Sequence, residues 1–193
     1  MFLRQLAEEA GIALGPNFAA GVVFLPHDAD AAQRCRAELD AQLRAAGCHP
    51  RGWREVPTDD SVCGQLARDT LPKIEQVFID ADIEQSAEQF ALALFMARRR
   101  SEQSLRDVAD YYVTTLSAEA ISYKGMVLPD KLSTFYPDLQ RHELASSVVV
   151  FHQRFSTNTM PRWPLAHPFR MLAHNGEINT IEGNRHWAQA RSK

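Results

Sequence analysis

Phe18-Ala19-Ala20-Gly21-Val22-Val23-Phe24-Leu25 is an eight-residue, almost wholly apolar run, closed off by Gly15-Pro16 before it and Pro26 after it. A short apolar run between such breakers reads as a buried strand. Directly after it, Asp28 or Asp30 is placed to cap a helix. Its apolar or small residues recur at Ala31, Ala32, Cys35, Leu39, Leu43 and Ala46, along one face of a 3.6-residue period. Gly47 stands where such a helix ends in the left-handed conformation. Cys35 lies on the buried face of this helix, which makes it a packing residue. A buried strand feeding an amphipathic helix sets the expectation of a mixed α and β domain.

Downstream, residues 48–71 alternate poorly and hold Pro50, Gly52, Pro57 and Asp59-Asp60-Ser61, the composition of a weak strand followed by a loop. Residues 73–80 read as a second strand. Asp82 with Gln85 has the spacing of a capping box, and Ala87, Phe90, Ala91 and Leu94 continue a helical stripe toward Arg98-Arg99-Arg100. Three arginines at a helix C-terminus suit its partial negative charge, a structural reading preferred over nucleic-acid binding. A further helix is expected over 104–115, a strand entering a turn at 121–125, and a short helix and loop over 129–137. Residues 147–155 form a strongly β-favouring run, and 171–173 a second, shorter one that stops at Asn175-Gly176. Asn179 with Glu182 is spaced to cap a terminal helix carrying Trp187 and Ala190. With no internal repeat or low-complexity linker, residues 1–193 are expected to form one domain of the α+β class.

Composition narrows the function classes. The chain has 193 residues, 45% hydrophobic and 23% charged, with a net charge of −3. A weakly acidic protein has no electrostatic drive toward phosphate backbones or anionic lipid. Arg4, Glu8 and Glu9 interrupt the N-terminal apolar stretch, and no run approaches the roughly 20 apolar residues of a spanning helix. A cytoplasmic location is the expectation. Three cysteines, Cys35, Cys48 and Cys63, lack C-x-x-C spacing and are expected as reduced thiols. Seven histidines include no H-E-x-x-H pattern, so no metal site is expected, and no glycine-rich phosphate loop is present.

The chemistry-bearing residues gather in the last quarter. Across 147–155, two-residue alternation puts Val148, Val150, His152 and Arg154 on one face and Val149, Phe151, Gln153 and Phe155 on the other. Polarity enters only at the end that runs into Ser156-Thr157-Asn158-Thr159, so Arg154 is expected at the mouth of a pocket or surface. Its planar fork matches a carboxylate, either of a substrate or of a structural ion pair. Asn175-Gly176 is a type I′ hairpin signal. The alternative is that the Asn amide and the unobstructed Gly N–H aim two donors at one point, as an oxyanion hole requires. His152 and His174 are either pocket-lining or structural, and a thiol hydrolase built on Cys63 and a histidine has no recognised spacing behind it.

The stretch His152-Gln153-Arg154-Phe155-Ser156-Thr157-Asn158-Thr159, with Trp163, Pro168-Phe169-Arg170 and Leu172-Ala173-His174-Asn175-Gly176-Glu177-Ile178-Asn179, closely resembles the class II glutamine amidotransferase domain of the glutamate synthase large subunit. Tyr123-Lys124-Gly125-Met126 and Phe135-Tyr136-Pro137-Asp138-Leu139 are similar to the same family, and residues 21–26 match more weakly. The resemblance implies an N-terminal-nucleophile hydrolase fold, a four-layer αββα sandwich. It implies that Arg154 binds the α-carboxylate of L-glutamine, that Thr157 shapes that pocket, and that Asn175 and Gly176 hold the oxyanion. It also implies that ammonia passes to a synthase region where FMN and an iron–sulfur cluster act, with the rest of the large subunit and a small subunit as partners. The family's nucleophile is a cysteine exposed at the mature N-terminus, whose own amine serves as base. Residue 1 here is Met1, and the family's second clamp on glutamine lies beyond Lys193. The chain is therefore expected to be a partial domain, inactive alone, with a non-catalytic glutamine-binding or partner-docking remnant as the alternative.

Overall fold

The computed structural model describes residues 2–155, 160–167 and 182–192. Its frame is a four-stranded sheet of β1 (Phe18–Leu25), β2 (His49–Glu55), β3 (Lys73–Asp80) and β4 (Tyr112–Ser117). The order is β2-β3-β1-β4, and every neighbouring pair is antiparallel. β1 lies inside the sheet and is covered on both faces, which is why it reads apolar throughout instead of alternating. It pairs with β3 without interruption, from Phe18 opposite Asp80 to Leu25 opposite Lys73.

The two faces have different covers. On one, Val23 and Leu25 of β1, Val77 and Ile79 of β3 and Val113 of β4 pack under α2 (Ala29–Ala45) and α4 (Ala87–Ser104). The α2 stripe is the expected one: Ala32, Cys35, Leu39 and Leu43 are all buried. Asp28 Oδ1 accepts the Ala31 N–H at 2.8 Å, and Gly47 closes the helix at φ 77°. The opposite face has a divided cover. Ala20 and Phe78 lie beneath α1 (Phe2–Glu9), whose Phe2, Leu6 and Ala7 face inward. Val22, Phe24 and Ile74 lie beneath Cys63, Ala67, Phe135, Tyr136 and Trp163.

Several local expectations are corrected. The cap of α4 is Ser86: its Oγ accepts the Gln89 N–H while Gln89 Oε1 accepts the Ser86 N–H. Asp82 and Gln85 make only the turn before it, with Gln85 N donating to Asp82 O at 3.1 Å. α4 continues to Ser104, so Arg98-Arg99-Arg100 are not its last turn, and Arg98 instead pairs with Glu102 at 2.8 Å. No helix spans 104–115. Val113, Thr114 and Thr115 are β-branched, and the free edge of β1 gives them a ladder to join as β4. Within the stretch read as a loop, α3 (Gln65–Asp69) forms, and α5 (Leu132–Phe135) supplies the short helix expected over 129–137.

Residues 121–125 are irregular rather than extended in a sheet, and so is the run 147–155. Val148, Val149, Val150 and Phe151 are 64–79% exposed. Their intrinsic preference is for a strand, but a strand needs an edge to pair with, and neither β2 nor β4 lends its edge to this run. The terminal helix is present as α6 (Glu182–Arg191), with Trp187 exposed. The expected strand at 171–173 and the cap at Asn179 fall outside the described residues.

All three thiols are buried, and burial pushes each above the ordinary thiol value, Cys48 to about 11. Burial likewise raises the phenols of Tyr111, Tyr123 and Tyr136. These groups keep their protons in the folded chain at pH values where the unfolded chain has begun to lose them, from about pH 8.5 for thiols and about 10 for phenols. The unfolded state then binds fewer protons, so stability is full below about pH 8.5 and falls as pH rises through and beyond that value. Urea unfolding midpoints should therefore drop steadily between pH 8 and 11. A midpoint that is flat or rising over that window would contradict the burial of these groups.

Candidate functional site

The site is built outward from the end of β4. Register between β1 and β4 slips at Val22 and Val23, leaving Thr114 as the extra residue of a bulge. Its Oγ1 donates to Val22 O at 2.9 Å, and Thr115 Oγ1 accepts the Ser122 N–H at 3.2 Å. These bonds fold the chain after β4 back along the strand, which brings Tyr123-Lys124-Gly125 over the second face of the sheet.

There the aromatic residues close around a backbone position that only glycine can fill. A Cβ on Gly125 would run into the six-membered ring of Trp163. Trp163 is buried, stands edge-on to Phe24 with ring centres 6.1 Å apart, and donates its indole N–H to Ala67 O at 3.0 Å. Tyr136, fully buried, donates its hydroxyl to Lys124 O at 2.9 Å.

Lys124 is 2% exposed. Its ammonium carries three protons and meets three acceptors: Pro164 O at 2.9 Å, Ala166 O at 3.0 Å and Tyr112 Oη at 3.3 Å. The ammonium also lies 4.5 Å from the centre of the Tyr112 ring. Burying a cation is costly unless its donors are all used, and here they are. The segment carrying Trp163, Pro164 and Ala166 is thereby tied to β4 and to the turn that follows it.

A second buried network braces the same cover from the β2 side. Arg54 of β2 donates through Nε to Gln76 Oε1 of β3 at 2.7 Å, and its Nη2 pairs with Asp138 Oδ2. The Tyr123 hydroxyl donates to the same carboxylate oxygen at 3.1 Å. Burial, reinforced by the adjacent Asp138 carboxylate, raises the Tyr123 phenol far above its ordinary value, so it remains an O–H donor. Residues 123 and 138 are thus locked to each other and to the sheet.

The sequence-derived site residues divide sharply. Arg154 is exposed, in the irregular segment after the apolar run. Two residues before it, the His152 ring lies against His167 with centres 4.4 Å apart and the planes tilted by 43°. Thr157, His174, Asn175 and Gly176 fall outside the described residues. Cys63 is buried with a raised thiol pKa, an environment that disfavours the thiolate a hydrolase needs. Cys63 also sits on the opposite face of the sheet from Cys35 and Cys48, so the three thiols do not converge on one iron–sulfur cluster. Among the described residues no group of three or more His, Cys, Asp or Glu is placed to hold a metal ion. Nor is any helix there long and apolar enough to cross a membrane.

Residues 1–193 match the family model of the class-II glutamine amidotransferases from end to end. The chain belongs to that family. It is 47% identical over 177 residues to the large chain of the NADPH glutamate synthase of Azospirillum brasilense, covering 90% of this chain and 12% of that one. It is 40% identical over 174 residues to ferredoxin-dependent glutamate synthase 1 of Arabidopsis thaliana, covering 89% and 11%. Against the NADPH glutamate synthase large chain of Bacillus subtilis the identity is 34% over 195 residues, covering 100% and 13%. The chain thus spans about an eighth of the length of the curated relatives it matches.

Sequence reasoning did not assign a role to Lys124, Trp163 or Asp138. Lys124 and Asp138 lie in segments whose family likeness was legible, but a lysine or aspartate between aromatic residues does not announce that it is buried. Their importance lies in contacts distant along the chain, 40 residues from Lys124 to Pro164 and 84 from Arg54 to Asp138.

The Arg54–Asp138 pair yields a direct stability test. Its side chains are 10% and 4% exposed, and removing one partner leaves the other charge buried and unpaired, at a cost of about 3–5 kcal/mol. Asp138→Leu should show that loss in urea unfolding, and Arg54→Met with Asp138→Leu should be less destabilised than the two single losses added together. Strict additivity would mean that the two side chains do not interact.

Proposed function

We propose that this chain is the glutamine-holding part of a glutaminase domain that hydrolyses L-glutamine to glutamate and ammonia. The observation that carries the reading is the family match over residues 1–193. Two others support it: Arg154 stands exposed, with its guanidinium free of the core, and its flanking segment touches the braced cover through His152. In this reading Arg154 grips the α-carboxylate of glutamine with two parallel hydrogen bonds, and Thr157 shapes the same pocket. The Asn175 side-chain amide and the Gly176 N–H face the carbonyl oxygen as it becomes an oxyanion, an interaction typically worth about 10²–10³ in rate.

None of the three buried thiols suits the role of nucleophile, so the stretch binds and polarises glutamine without turning it over by itself. The parent is a glutamate synthase large chain of the kind its relatives are named for, working in the cytoplasm with a small subunit. FMN and an iron–sulfur cluster would be held by other regions of such a parent; the cysteines described here lie on opposite faces of the sheet and do not converge on a cluster. The exposed run at 147–155 belongs in this reading to a second sheet of a four-layer αββα sandwich, in which residues 1–193 form part of a single domain. That placement accounts for four consecutive β-favouring residues lying open to solvent.

Binding of L-glutamine to the purified chain, followed by calorimetry, tests the reading. Saturable binding is expected, weakened about 10- to 150-fold by Arg154→Ala, the loss of a charge-assisted hydrogen-bonded contact. Arg154→Lys should recover only part, because an ammonium offers a point charge in place of a fork. Absence of binding by the folded wild-type chain, or binding indifferent to Arg154→Ala, would overturn it.

A further inference from the structure

We propose that Lys124 is a positioning residue for Arg154, acting through the contact between His167 and His152. The inference rests on the glutamine-holding reading above for the role of Arg154. The connection is short and each step is geometric. Lys124 Nζ holds Ala166 O at 3.0 Å and Pro164 O at 2.9 Å. His167 directly follows Ala166, so its backbone leads straight off that anchor. Its ring meets that of His152 at 4.4 Å between centres, tilted by 43°, and Arg154 is the second residue after His152.

Among the described residues, the His152–His167 contact is the ring contact that joins this segment to the cover, and Phe155 beside Arg154 is half-buried. The four residues Val148 to Phe151 before it are open to solvent and outside the sheet. The paired histidine rings are therefore where that segment meets an element with a buried anchor. The lysine suits the task because its three protons are matched by three acceptors, two of them backbone carbonyls two residues apart. Displacing either carbonyl costs the ammonium a buried hydrogen bond, so it favours one backbone path for 164–166. A neutral side chain of similar length fills the space but imposes no such condition.

The test compares L-glutamine affinity of the full chain in the wild type, Lys124→Met, His167→Ala and the double variant, with Leu39→Ala as a control on the far face of the sheet. All are measured where circular dichroism shows them folded. Lys124→Met and His167→Ala are each expected to weaken glutamine about ten-fold or more, in line with the penalty for a misplaced binding group. The double variant should be no weaker than the poorer single one, because both act through one connection. Leu39→Ala, although destabilised, should bind as the wild type does. Equal weakening by Leu39→Ala would assign the loss to general destabilisation and overturn the proposal, as would wild-type affinity in Lys124→Met. Proton NMR of the His152 ring separates this proposal from the reading it rests on. In the wild type the adjacent His167 ring shifts the His152 signals, and Lys124→Met should return them toward those of a free histidine. If the wild type binds no glutamine, the glutaminase reading fails while that shift still decides the link: its loss in Lys124→Met upholds the contact path, and its persistence overturns it.

Discussion

An ammonium group closed off from water sets the terms for this structure's second face. Lys124 is held where all three of its protons find acceptors, and two of those acceptors are main-chain carbonyls 40 and 42 residues further along. A buried cation tolerates few geometries, since each lost hydrogen bond leaves a desolvated donor with nothing in exchange. The backbone at 164–166 therefore has a defined position although its only regular structure is the single turn Trp163–Leu165. Gly125 serves the same end by leaving room for the Trp163 ring, and Tyr136 by fixing the Lys124 carbonyl from behind.

The sheet divides labour between its faces. Under α2 and α4 it is an ordinary apolar core, with Leu39, Leu43, Val77 and Leu94 fully buried and each worth roughly 1.5–3 kcal/mol in burial. The opposite face carries polarity inside it: the Arg54, Gln76, Tyr123 and Asp138 network sits between the α1 cover and the aromatic cover. Such a network ranks below hydrophobic packing as a source of stability, because its desolvation cost offsets most of its attraction. Its value is positional, joining β2, β3, the turn at 123 and the turn at 138 in one arrangement.

Legibility in the sequence followed the range of the interactions. β1, β3 and α2 were readable because their determinants are local: an apolar run between breakers, a stripe at helical period, Asp28 and Gly47 at the ends. β4 was misread as helix because Tyr112–Ser117 becomes a strand only through the free edge of β1, which lies some 90 residues earlier in the chain. The run at 147–155 shows the reverse error, since its β preference is real and no strand described here pairs with it. The cap of α4 was missed by four residues: Asp82 and Gln85 have the right spacing, yet the same spacing recurs at Ser86 and Gln89, where the helix begins. Of the candidate site, the family likeness was accessible from residues 152–179. The anchoring by Lys124 was not, because burial of a lysine is a property of the assembled cover.

Native-state hydrogen exchange at the Trp163 indole and at the Leu165 and Ala166 amides measures most directly whether the cover is part of the core. The indole N–H is bonded to Ala67 O, and the two amides to Arg162 O and Trp163 O. If Lys124 fixes this segment, these protons exchange only with opening of the whole sheet, sharing the denaturant dependence of the β1 amides. Exchange as fast as that of the open residues Val149 to Phe151 would show the segment loose on the sheet, and the account of a cover fixed by Lys124 would be wrong.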